Sequence, residues 1–397
     1  MSSKFTQIGS ITLFGLRTIP QRSGSVLAAA VGIAGVVAVL VGVLSIAQGF
    51  RHAVTGAGRE DVALVMRKSA PNEMSSNLGR EDVRVISDAP GVARNANGDA
   101  VVSAELLVII DIEKKSTGSG ANVPFRGVGA AAAAVREDFK IVDGRMFEPG
   151  RNELIAGAAA AREFAGLETG GVIKLGRTEW HVVGIFSSGG GIAESELWTD
   201  TAMLQQSYQR GESYQAAYVQ LSSVGAMQEF KDALLLDPRV NVQITSQREY
   251  LAEQSNVTSA FIAVIGWGVA AMMAVGAVLG AVNTMYNAVA SRTREIATLR
   301  ALGFGGGAVI VSVLLESIVL AVVAGGIGAL GAYVAFDGYT AATMNFQTWS
   351  QVAFTFRVTP ELLAAAMILA TSVGFLGGLL PAIRAARVPI ASALRET

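Results

Sequence analysis

The 397-residue chain has no cysteine and only two histidines, His52 and His181. The first absence excludes a thiol nucleophile, a disulfide and any cysteine metal site. Two histidines at that spacing cannot form the helical His-Glu-x-x-His zinc motif. No lysine follows a glycine, so there is no Walker A phosphate loop. The run Gly189-Gly190-Gly191 imitates one in composition only, and Ser187 to Gly191 is expected as a flexible loop. No G-x-S-x-G elbow occurs. Charge is also scarce, at 16% of residues, against about 25% in soluble domains.

The scarcity is uneven. Residues 51–253 carry 21 Lys+Arg and 27 Asp+Glu, which leaves ten basic and five acidic residues for the rest. A normally charged domain is embedded in an almost uncharged frame. That frame holds four apolar segments, between Arg22 and Arg51, Glu253 and Arg292, Arg300 and Asp337, and Glu361 and Arg384. Each exceeds the roughly 20 apolar residues that cross a hydrocarbon core, and each must be helical because lipid offers no backbone partner. Ser45-Ile46-Ala47 has the small residues of a cleavage site. The first apolar core is nevertheless longer than a typical signal h-region of about 7–15 residues.

The expected fold is therefore an integral membrane α-helical protein. It has four transmembrane helices in a 1+3 arrangement and a large α+β extracytoplasmic domain between helices one and two. The expected boundaries are a cytoplasmic tail at 1–22, the first span at 23–50, the outer domain at 51–256 and the second span at 257–290. A cytoplasmic loop at 291–305 follows, then a span at 306–336, a short outer loop at 337–361, a span at 362–383 and a cytoplasmic tail at 384–397. Flanking charge orients it. Lys4, Arg17, Arg22, Arg292, Arg294, Arg300, Arg384, Arg387 and Arg395 fall on one side and Arg357 on the other, which puts both termini in the cytoplasm of an inner (plasma) membrane.

The second charge-free run is 38 residues long, about 57 Å as a helix against a core of roughly 30 Å. Its beginning, around Ser246 to Thr258, is expected as a stalk carrying the outer domain. Phe5, Ile8, Ile11, Phe14 and Leu16 form a stripe ending at Pro20 and suggest an interfacial helix. In the outer domain, strands are expected at residues 62–66, 101–112, 172–175, 180–186, 217–221 and 242–245, and helices at 200–208 and 226–236. Its carboxylates read as a solvated surface scattered among basic residues.

Two features of the frame stand apart. Thr293 to Phe304, TREIATLRALGF, suits a short amphipathic helix ended by Gly303, with one face on the bundle and one offered to a partner. Glu316 lies inside the third span, where an ionisable residue is costly and faces protein or water. An ion pathway is one reading of it. An inter-helix hydrogen bond or a pair with a tail arginine is the favoured one, because no second buried charge suggests a relay.

The order of one helix, an outer domain and three helices resembles the FtsX/MacB-like (Lol-like) permease subunits of ABC transporters. TREIATLRALGF resembles that family's loop between helices two and three. Glu316 with Gly325 to Gly331 resembles its third helix, and LPAIRAARVPIASALR, Leu380 to Arg395, its ending. Gly144-Arg145-Met146-Phe147, Val182 to Phe186 and ESELWTD (Glu194 to Asp200) are similar to pieces of the MacB-like periplasmic domain.

The resemblance implies a dimer, with a second permease copy or a related permease, working with a cytoplasmic ABC ATPase dimer that binds ATP and Mg. No catalytic residue, cofactor or metal is expected on this chain. Arg292, Arg294, Glu295, Leu299, Arg300 and Gly303 would make the coupling helix, with Glu316 the intramembrane polar residue. The implied work is mechanotransmission: ATP-driven movement of the outer domain for export or extraction of lipoprotein, lipid, peptide or small molecule. Membrane lipid and a periplasmic adaptor or substrate protein are further implied partners, and nucleic acid is not. The alternative is a non-transporting receptor or a regulator of cell-wall hydrolases driven by a partner. A receptor would need a cytoplasmic output domain. An intramembrane enzyme would need a nucleophile or carboxylate pair in the spans.

Overall fold

A computed structural model describes Gly9, Thr12 and residues 23–56, 58–345 and 350–390. The interfacial helix expected over residues 5–16 otherwise lies outside the described residues, as does the end of the tail from residue 391. The chain divides into two compact units. A helical unit comprises Met1–Gln48, Phe261–Tyr339 and Phe356–Thr397, and an α/β unit comprises Gly49–Ala260 and Thr340–Thr355.

Four helices among the described residues are long and apolar enough to cross a membrane: α1 (Ser23–Thr55), α6 (Gln247–Ser291), α8 (Gly306–Phe336) and α9 (Pro360–Ala386). α9 runs on through Pro381, and Thr359 caps it through its side chain on the Leu362 N–H. The helical unit packs Ile33, Val37 and Leu40 of α1 against Ala321 and Ala324 of α8 and Ala370 of α9. Small residues set how closely these helices approach. A Cβ on Gly328 would lie 2.3 Å from the Ala34 carbonyl oxygen, and one on Gly374 would lie 2.5 Å from the Ala321 Cβ. The short helix α7 (Thr293–Ala301) joins α6 to α8.

The α/β unit is a ten-stranded sheet in the order β10-β1-β9-β2-β3-β8-β5-β7-β4, with β6 on β7. Its strands are β1 (Val62–Arg67), β2 (Val102–Glu113), β3 (Gly120–Val128), β4 (Phe139–Gly144), β5 (Glu153–Gly157), β6 (Val172–Leu175), β7 (Thr178–Ser188), β8 (Leu197–Asp200), β9 (Ala216–Gln220) and β10 (Val242–Ser246). Helices α2 (Arg80–Asp88), α3 (Ala158–Glu163), α4 (Thr201–Ser207) and α5 (Ala226–Leu236) complete it. One apolar core gathers around β1, β9, β10 and α5. A second gathers around β2, β3, β5, β7 and β8.

Two expectations change here, and the start of the long helix becomes defined. Residues 337–361 are not a plain loop. They carry a hairpin, β11 (Thr340–Asn345) and β12 (Ser350–Thr355), which belongs to the α/β unit. Ser350, Val352 and Phe354 are buried at every second residue, and the Ala353 N–H donates to Ser195 Oγ at 2.9 Å. Ser187 and Ser188 belong to β7 rather than to a flexible loop. The glycine turn that follows closes on an internal anion: Glu194 Oε1 accepts from Ser188 N–H (2.9 Å), Gly190 N–H (2.8 Å) and Ser187 Oγ (2.6 Å). The phosphate-loop look of this run thus has a local use, since its donors serve a carboxylate of the same chain. Finally, the long helix starts at Gln247, directly after β10, and its first fourteen residues belong to the α/β unit.

Candidate functional sites: a short loop helix and a buried charge cluster

Helix α7 is built from TREIATLRA. Ile296 turns inward onto Val289, Val309, Val313, Ala382 and Ala385, and Ala297 beside it is fully buried. Arg294, Glu295 and Thr298 are exposed, and Leu302 at the C-cap is 73% exposed. Residues 294, 298 and 302 are spaced by four and so share one face. Leu299, expected as a coupling residue, is half-buried, because it lies toward the side that Ile296 commits to the bundle. The exposed apolar side chain of this helix is Leu302.

The helix ends on a hydrogen-bond pattern that needs a left-handed residue. Phe304 N–H donates to the Leu299 carbonyl and Gly303 N–H to the Arg300 carbonyl, both at 3.1 Å. Gly303 stands at φ +95°, which a residue without Cβ adopts at no steric cost. Arg300 reaches from α7 to the Val388 carbonyl at 2.6 Å. Arg292, between α6 and α7, donates through Nη2 to Glu316 Oε2 at 2.7 Å. Among the described residues, Glu316 is thus paired with the loop arginine Arg292. A second poorly exposed charge does exist beside it, which sequence spacing had not suggested.

The α/β unit contains a cluster that sequence reading missed. Side chains on a strand alternate between faces. Register places Ser103 opposite Tyr218, Leu107 opposite Arg126, and Arg126 opposite Trp198. One face across β9, β2, β3 and β8 therefore presents Tyr218, Ser103, Glu105, Arg126 and Trp198. The Arg126 guanidinium sits at its centre, with Nε and Nη2 on the two oxygens of Glu196, each at 2.8 Å. Its Nη1 donates to Glu73 at 2.6 Å and to Glu105 at 3.1 Å. Arg136 joins through Glu105 (2.7 Å) and stacks over Tyr218, 4.2 Å from the ring centroid. Tyr218 Oη donates to Glu73 (2.7 Å), and Trp198 Nε1 donates to Glu196 (2.8 Å).

All these ionisable groups are buried, contrary to the expected solvated surface. Burial pushes the Glu73 carboxyl up, but the Arg126 charge and hydrogen bond, helped by Tyr218, hold it below the usual carboxylate range. Burial and the Glu73 charge push Tyr218 up, so it stays a neutral donor. The start of α6 leans on the same cluster, since the Glu73 N–H donates to Tyr250 Oη at 3.4 Å.

A cavity of about 50 Å³ lies beside the cluster, with Arg136, Glu196, Gln247, Gln254 and Ser350 among its walls. Arg136 Nη1, on that wall, is buried without a hydrogen-bond partner. The size and polarity suit bound water. The signal for the cluster was present in the sequence as single charges inside apolar runs, Glu105 in VVSAELLVII and Arg126 in VPFRGV. Among the described residues no group of three or more His, Asp or Glu is placed to hold a metal ion.

Four apolar helices of spanning length and an α/β domain of this size define a multi-span membrane protein with a large domain outside the bilayer. The chain belongs to the family of FtsX-like permeases with a MacB-like periplasmic core domain, membrane permeases of the ABC transporter class. Residues 26–235 match the MacB-like periplasmic core domain and residues 267–390 the FtsX-like permease C-terminal region.

Among relatives, it is 25% identical over 392 residues to the macrolide export ATP-binding/permease protein MacB of Bdellovibrio bacteriovorus, covering 90% of this chain and 58% of that one. It is 28% identical over 153 residues to the uncharacterized ABC transporter permease YknZ of Bacillus subtilis, covering 38% of this chain and 36% of that one. The chain thus spans about half or less of the lengths of these relatives. Among solved structures, the extracellular domain of YknZ from Gram-positive bacteria matches at 18% identity and TM-score 0.36, over 47% of this chain and 100% of that one. The periplasmic region of MacB from Actinobacillus actinomycetemcomitans matches at 14% identity and TM-score 0.38, over 49% and 92%.

Proposed function

We propose that this chain is the permease subunit of an ABC transporter and works by mechanotransmission. A separate cytoplasmic ATPase dimer, holding ATP and Mg, drives movement of the outer domain in a dimer with a second permease copy or a related permease. The work is export or extraction of lipoprotein, lipid, peptide or small molecule, with an adaptor or substrate protein outside.

The observation that carries this reading is α6. It is one helix of 45 residues, about 67 Å at 1.5 Å per residue against a hydrocarbon core of roughly 30 Å. Tyr250 in its first turn bonds the buried charge cluster, and its last residue lies next to the joint with α7. A single helix with such ends can carry a displacement from docking loop to outer domain. The basic residues around α7 and the tail support a cytoplasmic side for both termini.

The exposed face of α7, Arg294, Glu295, Thr298 and Leu302, is the ATPase contact in this reading. Truncating a central interface side chain costs about 1–2 kcal/mol or more, so Glu295→Ala with Leu302→Ala should weaken ATPase binding by roughly tenfold or more. The check is copurification of the ATPase with tagged full-length chain, together with stimulated ATP turnover. An intact complex with normal turnover would overturn the docking role.

A further inference from the structure

We propose that Arg292 and Glu316 are positioning residues: an ion pair, with Glu316 buried and Arg292 partly so, that latches the docking helix α7 to the α8–α9 pair. The inference rests on the docking role proposed above for α7.

The α8–α9 contact is close and stiff. A Cβ on Gly378 would lie 2.7 Å from the Ser317 Cβ, and one on Gly325 would lie 2.6 Å from the Ala370 Cβ. Ser317 Oγ donates to the Gly374 carbonyl at 2.7 Å. Glu316 is the residue before Ser317, 2% exposed and about 15 Å along α8 from its start at 1.5 Å per residue. Its carboxylate is therefore mounted beside this close contact.

Arg292 is the single residue between α6 and α7. Besides its bond to Glu316, its Nε donates to the Ala288 carbonyl of α6 at 3.3 Å. One side chain thus ties the α6–α7 joint to α8. At the far end of α7, Arg300 holds the Val388 carbonyl just beyond α9. Between them, Ile296 supplies an apolar contact. Apolar contact is non-directional, and a helix resting on it alone can roll or slide. A buried, hydrogen-bonded ion pair permits one geometry, because any other leaves a charge uncompensated in low dielectric. The pair therefore sets the angle at which Arg294, Thr298 and Leu302 are presented. It also makes that angle follow any shift of α8 against α6.

The test uses the full-length chain in lipid nanodiscs. Because the chain has no cysteine, Thr298→Cys takes a single nitroxide on the exposed face of α7. Glu316→Gln leaves Arg292 uncompensated, so the informative variant is Arg292→Gln with Glu316→Gln, which removes both charges. Its spectrum should shift from the immobilised to the mobile component, while a label at Val142→Cys in the α/β unit stays unchanged. The exchanged pair, Arg292→Glu with Glu316→Arg, should restore immobilisation.

An unchanged Thr298 label in the neutral double variant overturns the latch. So does an exchanged pair that melts like the parent yet stays mobile. ATPase turnover is read separately: if the label loosens and stimulated turnover holds, the latch stands and the docking reading falls.

Discussion

Arg126 shows how much one side chain can hold in this molecule. Its guanidinium is the shared partner of Glu73, Glu105 and Glu196, and all four groups are buried. Removing one partner from a buried ionic set costs about 3–5 kcal/mol, because the charges left behind have neither water nor counter-ion. Arg126→Met should therefore lower the unfolding free energy of the full-length chain by that amount at neutral pH, as read by denaturant titration. The loss should shrink in acid, where protonation relieves the orphaned carboxylates.

A second residue-scale effect lies at Glu153. Its carboxylate accepts both Arg145 Nη groups at 2.7 Å and the Glu148 N–H at 2.9 Å. Chiefly the Arg145 hydrogen bonds hold its pKa down to about 2. The folded value is below the unfolded one of about 4.3. The stability it contributes is therefore fully present above the unfolded value and is lost as pH falls toward 2. Glu153→Gln should flatten that part of the stability–pH curve.

At the scale of elements, the close helices and the long helix make different predictions. Gly374 faces the Ala321 Cβ and the Ser317 carbonyl, so Gly374→Val pushes α9 off α8. Overpacking of this kind costs about 1–3 kcal/mol and should appear as a lower melting temperature in detergent. Val257 in α6 is exposed, so changing it sacrifices no packing. Val257→Pro should break the helix there at about 3 kcal/mol or more. If α6 is the transmitting element, this variant keeps ATPase binding and loses transport. Retained transport would sink the transmission reading.

The elements also differ in how far they could be read in advance. The strand Val172–Leu175 and the helix Ala226–Leu236 follow from local pattern, as does the end of α7 at Gly303. The β11–β12 hairpin has a signal too, the alternation of Val352, Phe354, Phe356 and Val358. Its position between two apolar segments made a loop the simpler expectation. Strands β5 and β8 are short, and they and most of β3 are buried on both faces or nearly so; such strands leave little periodicity to detect.

For the whole molecule, the testable statement is which side of the membrane each unit occupies. The proposed orientation puts the α/β unit outside and α7 in the cytoplasm. In intact cells, a membrane-impermeant maleimide should label Val142→Cys and leave Thr298→Cys unreacted until the membrane is opened. The opposite pattern would reverse the topology and with it the docking proposal.

Four spanning-length helices, a charged domain after the first and a short polar segment between the second and third are determined by the sequence alone. Apolar run length, charge distribution and a helix-ending glycine act locally and need no tertiary partner. Which charges meet is another matter. Glu73, Glu105, Arg126 and Glu196 lie far apart along the chain and converge only through strand order and the two-residue alternation of each strand. Glu316 meets Arg292, 24 residues earlier, because helix packing brings that guanidinium to it. Leu302 rather than Leu299 is exposed because Ile296 and Ala297 decide which way α7 rolls. Only the tertiary structure could decide these pairings, since a long-range contact depends on where every intervening element has gone.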